Sequence, residues 1–126
     1  MRDVTSNPRR FRFSAARRLK RSAEFERVRR DGQTVRGGLL ILGALRLEKA
    51  TSFRVGFVTS RRIGGAVVRN RVRRRLREVV RRNQSDLVDG VWLVLIARPA
   101  AVKAESAALE KEYLRLAQRA EVLRRV

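Results

Sequence analysis

Ten arginines fall between Arg61 and Arg82, at positions 61, 62, 69, 71, 73, 74, 75, 77, 81 and 82, with Glu78 as the single acid among them. Guanidinium groups stay charged near neutral pH, so they offer no proton transfer or nucleophile, but their planar forks match phosphate oxygens bidentately. At about 100° per residue, Val68, Val72, Leu76 and Val79 line one face of a helix over 67–82, while Asn70, Arg74, Arg77 and Arg81 point the other way. Arg71, Arg75 and Arg82 follow one flank. Like charges four apart, such as Arg71 and Arg75 or Arg73 and Arg77, cost roughly a few tenths of a kcal/mol each in an isolated helix. A phosphate partner would remove that cost. Glu78 stands four before Arg82 and four after Arg74, which gives it a bracing position rather than a catalytic one. A solvated basic helix is the alternative reading of such a run. The scarcity of acid weighs against it, because soluble surfaces mix both signs.

The whole chain repeats this bias. Its 126 residues carry 32 Lys and Arg against 12 Asp and Glu, for a net charge of +20, and 28 of the basic residues are Arg. Such a body attracts polyanions, either nucleic acid or an anionic membrane surface. With 44% hydrophobic residues it can still form one compact core. His and Cys are absent, which removes imidazole and thiolate catalysis, disulfides and the usual zinc or haem ligands. Asp86 and Asp89 read as turn and capping residues rather than a metal cluster. The apolar stretches Gly37 to Leu45 and Val91 to Ala97 are far shorter than the roughly 20 residues of a membrane-spanning helix. The basic N-terminus has no apolar signal core or cleavage site, so a cytoplasmic location is expected.

The elements that must position the arginines follow from periodicity. Residues 1–16 hold Asn7, Pro8 and several Arg without a sustained period, and predict a basic arm with Phe11 and Phe13 as its only anchors. Residues 17–126 form the domain. Ser22 is a good N-cap, Glu24 and Glu26 suit the first turn, and Ala23 to Arg30 form a short helix stopped by Asp31 and Gly32. Thr34 to Arg36, Leu39 to Leu47 and Phe53 to Thr59 read as strands, the first short, with a 48–52 loop between the others. Leu39 to Leu42 is apolar on both faces, as expected inside a sheet, and Gly43 suggests a bulge or a close approach by a ligand. The Gly64 and Gly65 turn opens the arginine helix, and Val91 to Ala97 reads as a strand ended by Pro99. A last helix over 106–124 places Leu109, Tyr113, Leu116, Ala120 and Leu123 on one face. Trp92, Tyr113 and Leu116 read as core. The prediction is a single α+β domain, a mixed four-stranded sheet packed with three helices in the order α-β-β-β-α-β-α, with a possible βαβ unit around the arginine helix.

The stretch from Arg54 to Glu78, RVGFVTSRRIGGAVVRNRVRRRLRE, closely resembles the signature of the bacterial ribonuclease P protein family. Two further blocks match in order, Arg18 to Phe25 (RLKRSAEF) and Val94 to Pro99 (VLIARP), so the resemblance runs from Arg18 to about Leu123. It implies a protein that assists a catalytic RNA in removing the 5′ leader from precursor tRNA. The chemistry would belong to that RNA and its Mg2+, with no catalytic residue, metal ligand or cofactor in the protein, and with no obligate protein partner and no membrane. Ribonuclease P RNA and precursor tRNA would be the partners, and the βαβ crossover would be left-handed, against the usual rule. By resemblance, Arg69, Asn70 and Arg71 match the family's RNA-binding triplet, Arg73, Arg74 and Arg77 continue it, and Arg61 and Arg62 match a basic pair in the preceding loop. The family binds the leader in a cleft between the first helix and the sheet, where Phe25 matches an aromatic. Phe25 also has a plain reading as core. Arg29 and Gly43 depart from the pattern, standing where many relatives carry aromatics. Arg29 could stack on a base or hold a phosphate. A ribosomal or RNA-chaperone protein would share charge, size and fold type but would not stimulate cleavage. A DNA-binding module would present the same helix to a major groove, but the flanking blocks do not resemble a helix-turn-helix.

Overall fold

A computed structural model describes residues 17–47 and 52–124; the predicted arm, with Phe11 and Phe13, and most of the 48–52 loop lie outside the described residues. The elements are α1 (Ser22–Asp31), β1 (Gln33–Arg36), β2 (Leu40–Arg46), β3 (Arg54–Val58), α2 (Ala66–Arg82), β4 (Val91–Ala97) and α3 (Ser106–Arg119). Their order is the predicted one. The sheet runs β1-β2-β4-β3, with β1–β2 and β2–β4 antiparallel and β3–β4 parallel. Thus β3, α2 and β4 form the expected βαβ unit, and β2 is an inner strand as its two apolar faces require.

The two faces of the sheet are covered unequally. On one, Leu40, Leu42, Val55, Leu93 and Leu95 pack against Val72, Leu76, Val79 and Val80 of α2 and Leu109, Tyr113 and Leu116 of α3. Each fully buried Leu or Val there contributes about 1.5–3 kcal/mol of transfer free energy, so this face dominates stability. On the other, the short α1 brings Phe25 and Val28 against Leu19, Val94 and Ile96. Ile41, Gly43, Leu45, Trp92 and Ile96 on that face are only half-buried.

Four local expectations change. Ser22 is the first helical residue and Arg21 the cap; the carboxylate of Glu24 accepts the N–H groups of Lys20 and Arg21 at 3.0 and 3.1 Å. Burial works against ionisation of Glu24, but those two N–H groups and the Arg54 guanidinium hold its carboxyl below the ordinary range. The predicted last helix stops at Arg119 instead of Arg124, because Glu121 enters the left-handed region (φ 61) and Val122 accepts the N–H of Val88 at 2.9 Å. Leu123 then pairs with Leu87 in an isolated bridge rather than extending the helical stripe. Trp92 is half-buried, with the guanidinium carbons of Arg27 and Arg54 each 5.6 Å from its ring, whereas Tyr113 and Leu116 are fully buried as expected. Gly43 marks no bulge, since it keeps register with Thr34 and Val94.

Candidate nucleic-acid interface

The arginine helix starts from a turn that only glycine serves well. Gly64 has φ 146, and a Cβ there would lie 2.9 Å from the Val68 side chain. Ahead of it, Arg61 and Arg62 sit exposed on a 3₁₀ turn (Arg61–Ile63) whose Ser60 cap accepts the Arg62 N–H at 3.3 Å. Val72, Leu76, Val79 and Val80 bury the inner face of α2, and Val68 is partly buried beside them. The stripe therefore fixes the direction of every arginine on the helix.

Those arginines divide into two sets. Arg75 donates to the Ala104 carbonyl and to Ser106 Oγ, Arg82 pairs with Glu110 at 2.7 Å, and Arg81 pairs with Glu78 at 2.6 Å. Glu78 does brace the helix, but through Arg81 rather than Arg82 or Arg74; that hydrogen bond holds its carboxyl below the ordinary range. Arg61, Arg62, Arg69, Arg71 and Arg74, by contrast, have no carboxylate at ion-pair distance among the described residues. Asn70 and Arg71 are exposed, Arg69 half-buried. Between the sets, Arg73 donates to Asn70 Oδ1 at 2.9 Å and to Thr59 Oγ1 at 2.5 Å, and Arg77 lies over the Phe57 ring at 5.9 Å.

A cleft of about 490 Å³ opens between α1 and the sheet, lined among others by Phe25, Arg29, Gly43, Phe57, Ile96 and Arg73. It brings together all three residues expected there by resemblance, and Arg73 links it to the arginine face. Phe25 is half-buried and lines the cleft, while its ring lies against β3, where a Cβ on Gly56 would come within 2.4 Å of Phe25 Cε1. Arg29 is exposed and ion-paired to Glu26, which raises its pKa through that hydrogen bond. A Cβ on Gly43 would meet Val28 Cγ1 at 3.3 Å, so the absent side chain sets the depth of the cleft. Sequence reasoning missed Phe57, Ile96 and the supporting Gly56. A lone glycine within a strand signals close approach, and Gly56 carries that signal as plainly as Gly43 does.

Among the described residues no three acidic side chains converge as a metal site would require, and no helix is long and apolar enough to cross a membrane. A half-covered sheet face beside a helix rich in guanidinium groups without carboxylate partners is the footprint of an α+β protein that binds a polyanion such as nucleic acid. The family model "Ribonuclease P" matches residues 13–121. The ribonuclease P protein component of Beutenbergia cavernae is 44% identical over 98 residues, covering 78% of this chain and 82% of that one. That of Roseiflexus castenholzii is 44% identical over 109 residues, covering 86% and 88%. The fold is that of the Staphylococcus aureus RNase P protein, with a TM-score of 0.77 over 84% of this chain and 96% of the other at 24% identity. The chain belongs to the ribonuclease P protein family. It is accordingly the protein subunit of a ribonucleoprotein endoribonuclease of tRNA 5′ processing, with ribonuclease P RNA as its partner.

Proposed function

We propose that Arg61, Arg62, Arg69, Asn70, Arg71, Arg73, Arg74 and Arg77 hold the ribonuclease P RNA while the cleft of Phe25, Arg29 and Gly43 holds the single-stranded 5′ leader of precursor tRNA. The observation that carries this reading is the placement of Arg73, which lines the cleft and stands on the arginine face. One protein of this size can thus touch both RNAs at once. Contacts from the arginine face go mainly to phosphate and sugar, because structured RNA is recognised largely by shape and backbone. In the cleft, stacking on an aromatic face is worth about 1–3 kcal/mol per base with little sequence preference, which suits leaders that differ between tRNAs. Arg29 exchanges its Glu26 partner for a phosphate or a base. Mg2+ is bound and used by the RNA, the 1–16 arm adds positive charge to a domain spanning 17–126, and the particle works in the cytoplasm.

The test is cleavage of a precursor tRNA by ribonuclease P RNA at low Mg2+, with and without this protein. Stimulation that is lost when Arg69 and Arg71 become Ala supports the reading. Binding without stimulation, by an RNA that is active alone at high Mg2+, overturns it in favour of a general RNA-binding protein. A photoreactive leader nucleotide should label residues around Phe25, and labelling confined to α2 would remove the cleft from the account.

A further inference from the structure

Beside the cleft, at the edge of β3, lies a second depression of about 340 Å³ whose lining includes Arg18, Lys20, Phe57, Arg73 and Arg77. It and the cleft share Phe57 and Arg73, so they are neighbouring compartments of one surface. Its charges are all of one sign. Glu24, the acid closest in sequence to Arg18, is taken by Arg54, whose own guanidinium also donates to the Arg18 carbonyl at 3.2 Å. The Nε atoms of Arg18 and Arg77 are buried without a hydrogen-bond partner among the described residues. A buried donor left unpaired costs about 1–3 kcal/mol, and three guanidinium groups around one hollow repel each other besides. Burial, and then the nearness of Arg18 and Arg73, lower the pKa of Arg77, which records the same conflict. One phosphate group would offset the repulsion, because its several oxygens accept from the terminal Nη groups of several forks at once.

We propose that Arg18, Arg73 and Arg77 form a seat for one phosphodiester of the RNA strand lying in the cleft, fixing where the leader's backbone leaves its stacked bases. The proposal rests on the reading of the cleft as the leader site, moves Arg73 and Arg77 from the ribonuclease P RNA to the leader backbone, and adds Arg18, which lies outside the arginine helix. Phe57 borders both compartments, and the Arg77 guanidinium lies over its ring at 5.9 Å. The seat gives register to a strand whose bases are held without sequence preference.

The experiment uses the assembled holoenzyme and precursor tRNAs in which single leader phosphodiesters are replaced, one at a time, by uncharged methylphosphonates. With the unaltered protein, one leader position should lose affinity by roughly tenfold, the size of a charge-assisted contact. With Arg18→Met, which keeps the aliphatic stem and lacks the fork, that same position should lose its effect while the others keep theirs. Circular dichroism of Arg18→Met checks the fold, and Arg18→Lys, retaining a charge but no fork, should fall between the two. Sensitivity at the same position and to the same degree in Arg18→Met overturns the seat. So does a weakening of ribonuclease P RNA binding by Arg18→Met with the methylphosphonate profile unchanged, since the phosphate would then belong to the catalytic RNA. Affinity that does not depend on having a leader at all overturns the cleft reading itself, and is distinguished by a leaderless substrate that binds as well as the full one.

Discussion

The two sets of arginines on α2 are chemically identical and physically opposite. Arg75, Arg81 and Arg82 spend their donors inside the protein, on Ala104, Ser106, Glu78 and Glu110, and so tie α2 to α3 or brace α2 itself. Arg69, Arg71 and Arg74 meet no carboxylate among the described residues. The difference is positional. The second set precedes or opposes the stretch where α3 supplies acid, so its repulsion is left for a partner to neutralise. A count of arginines shows a polycation, whereas the partner of each guanidinium separates the charges tied into the fold from those that meet no carboxylate among the described residues.

The largest expected effect falls on the unpaired set. Arg69→Ala with Arg71→Ala should weaken binding to ribonuclease P RNA on the order of 10- to 100-fold, measured by filter binding at fixed salt, with the melting temperature little changed. A next effect tests the cleft. In Gly56→Ala the new methyl group collides with the Phe25 ring, so thermal unfolding should show a loss of about 1–3 kcal/mol. The same variant should bind leader-bearing substrate less tightly while keeping its affinity for the RNA subunit.

The paired side of the comparison gives smaller, purely structural effects. Glu112 of α3 accepts the N–H groups of Leu39 and Leu40 at 2.6 and 3.0 Å and pairs with Arg115 at 2.8 Å. Burial opposes its charge, but those N–H groups and Arg115 hold its carboxyl below the ordinary value. A depressed carboxylate stabilises the fold above its unfolded pKa and loses that contribution as pH falls through the folded one. Stability should therefore decline on acidification below the ordinary glutamate range, and Glu112→Gln should cost about 1–2 kcal/mol at neutral pH and flatten that decline in urea titrations. Smallest of all, Arg82→Ala breaks a partly exposed ion pair and should cost about 0–1 kcal/mol in urea unfolding, with RNA affinity nearly intact.

Much of this was written in local sequence. The Val72, Leu76, Val79 stripe fixed which way α2 faces, the Val91–Ala97 run is β4 from end to end, and the two-faced apolar β2 lies inside the sheet. What local pattern missed was decided by contacts distant in the chain. Ala120 and Leu123 continue the helical period beyond Arg119, yet hydrogen bonding of Val122 to Val88 and pairing of Leu123 with Leu87 pull the chain out of the helix. Similarly, the choice of Arg81 over Arg82 by Glu78 depends on Glu110, which lies on another helix. Phe25, Arg29 and Gly43 are legible through the resemblance, whereas the seating of the Phe25 ring against Gly56 of β3 depends on the packing of α1 on the sheet.

The central proposal is that Arg69 and Arg71 of α2 contact RNA whereas the ion-paired Arg81 and Arg82 do not, and salt dependence tests it most directly. Binding of ribonuclease P RNA would be measured across a salt series for the unaltered protein, for Arg69→Ala with Arg71→Ala, and for Arg81→Ala with Arg82→Ala. Each phosphate contact contributes about 0.7–0.9 to the slope of log K against log salt, so the first pair should flatten the slope by about 1.5 and the second should leave it unchanged. Equal flattening by both pairs would contradict the division and return α2 to a uniformly charged helix.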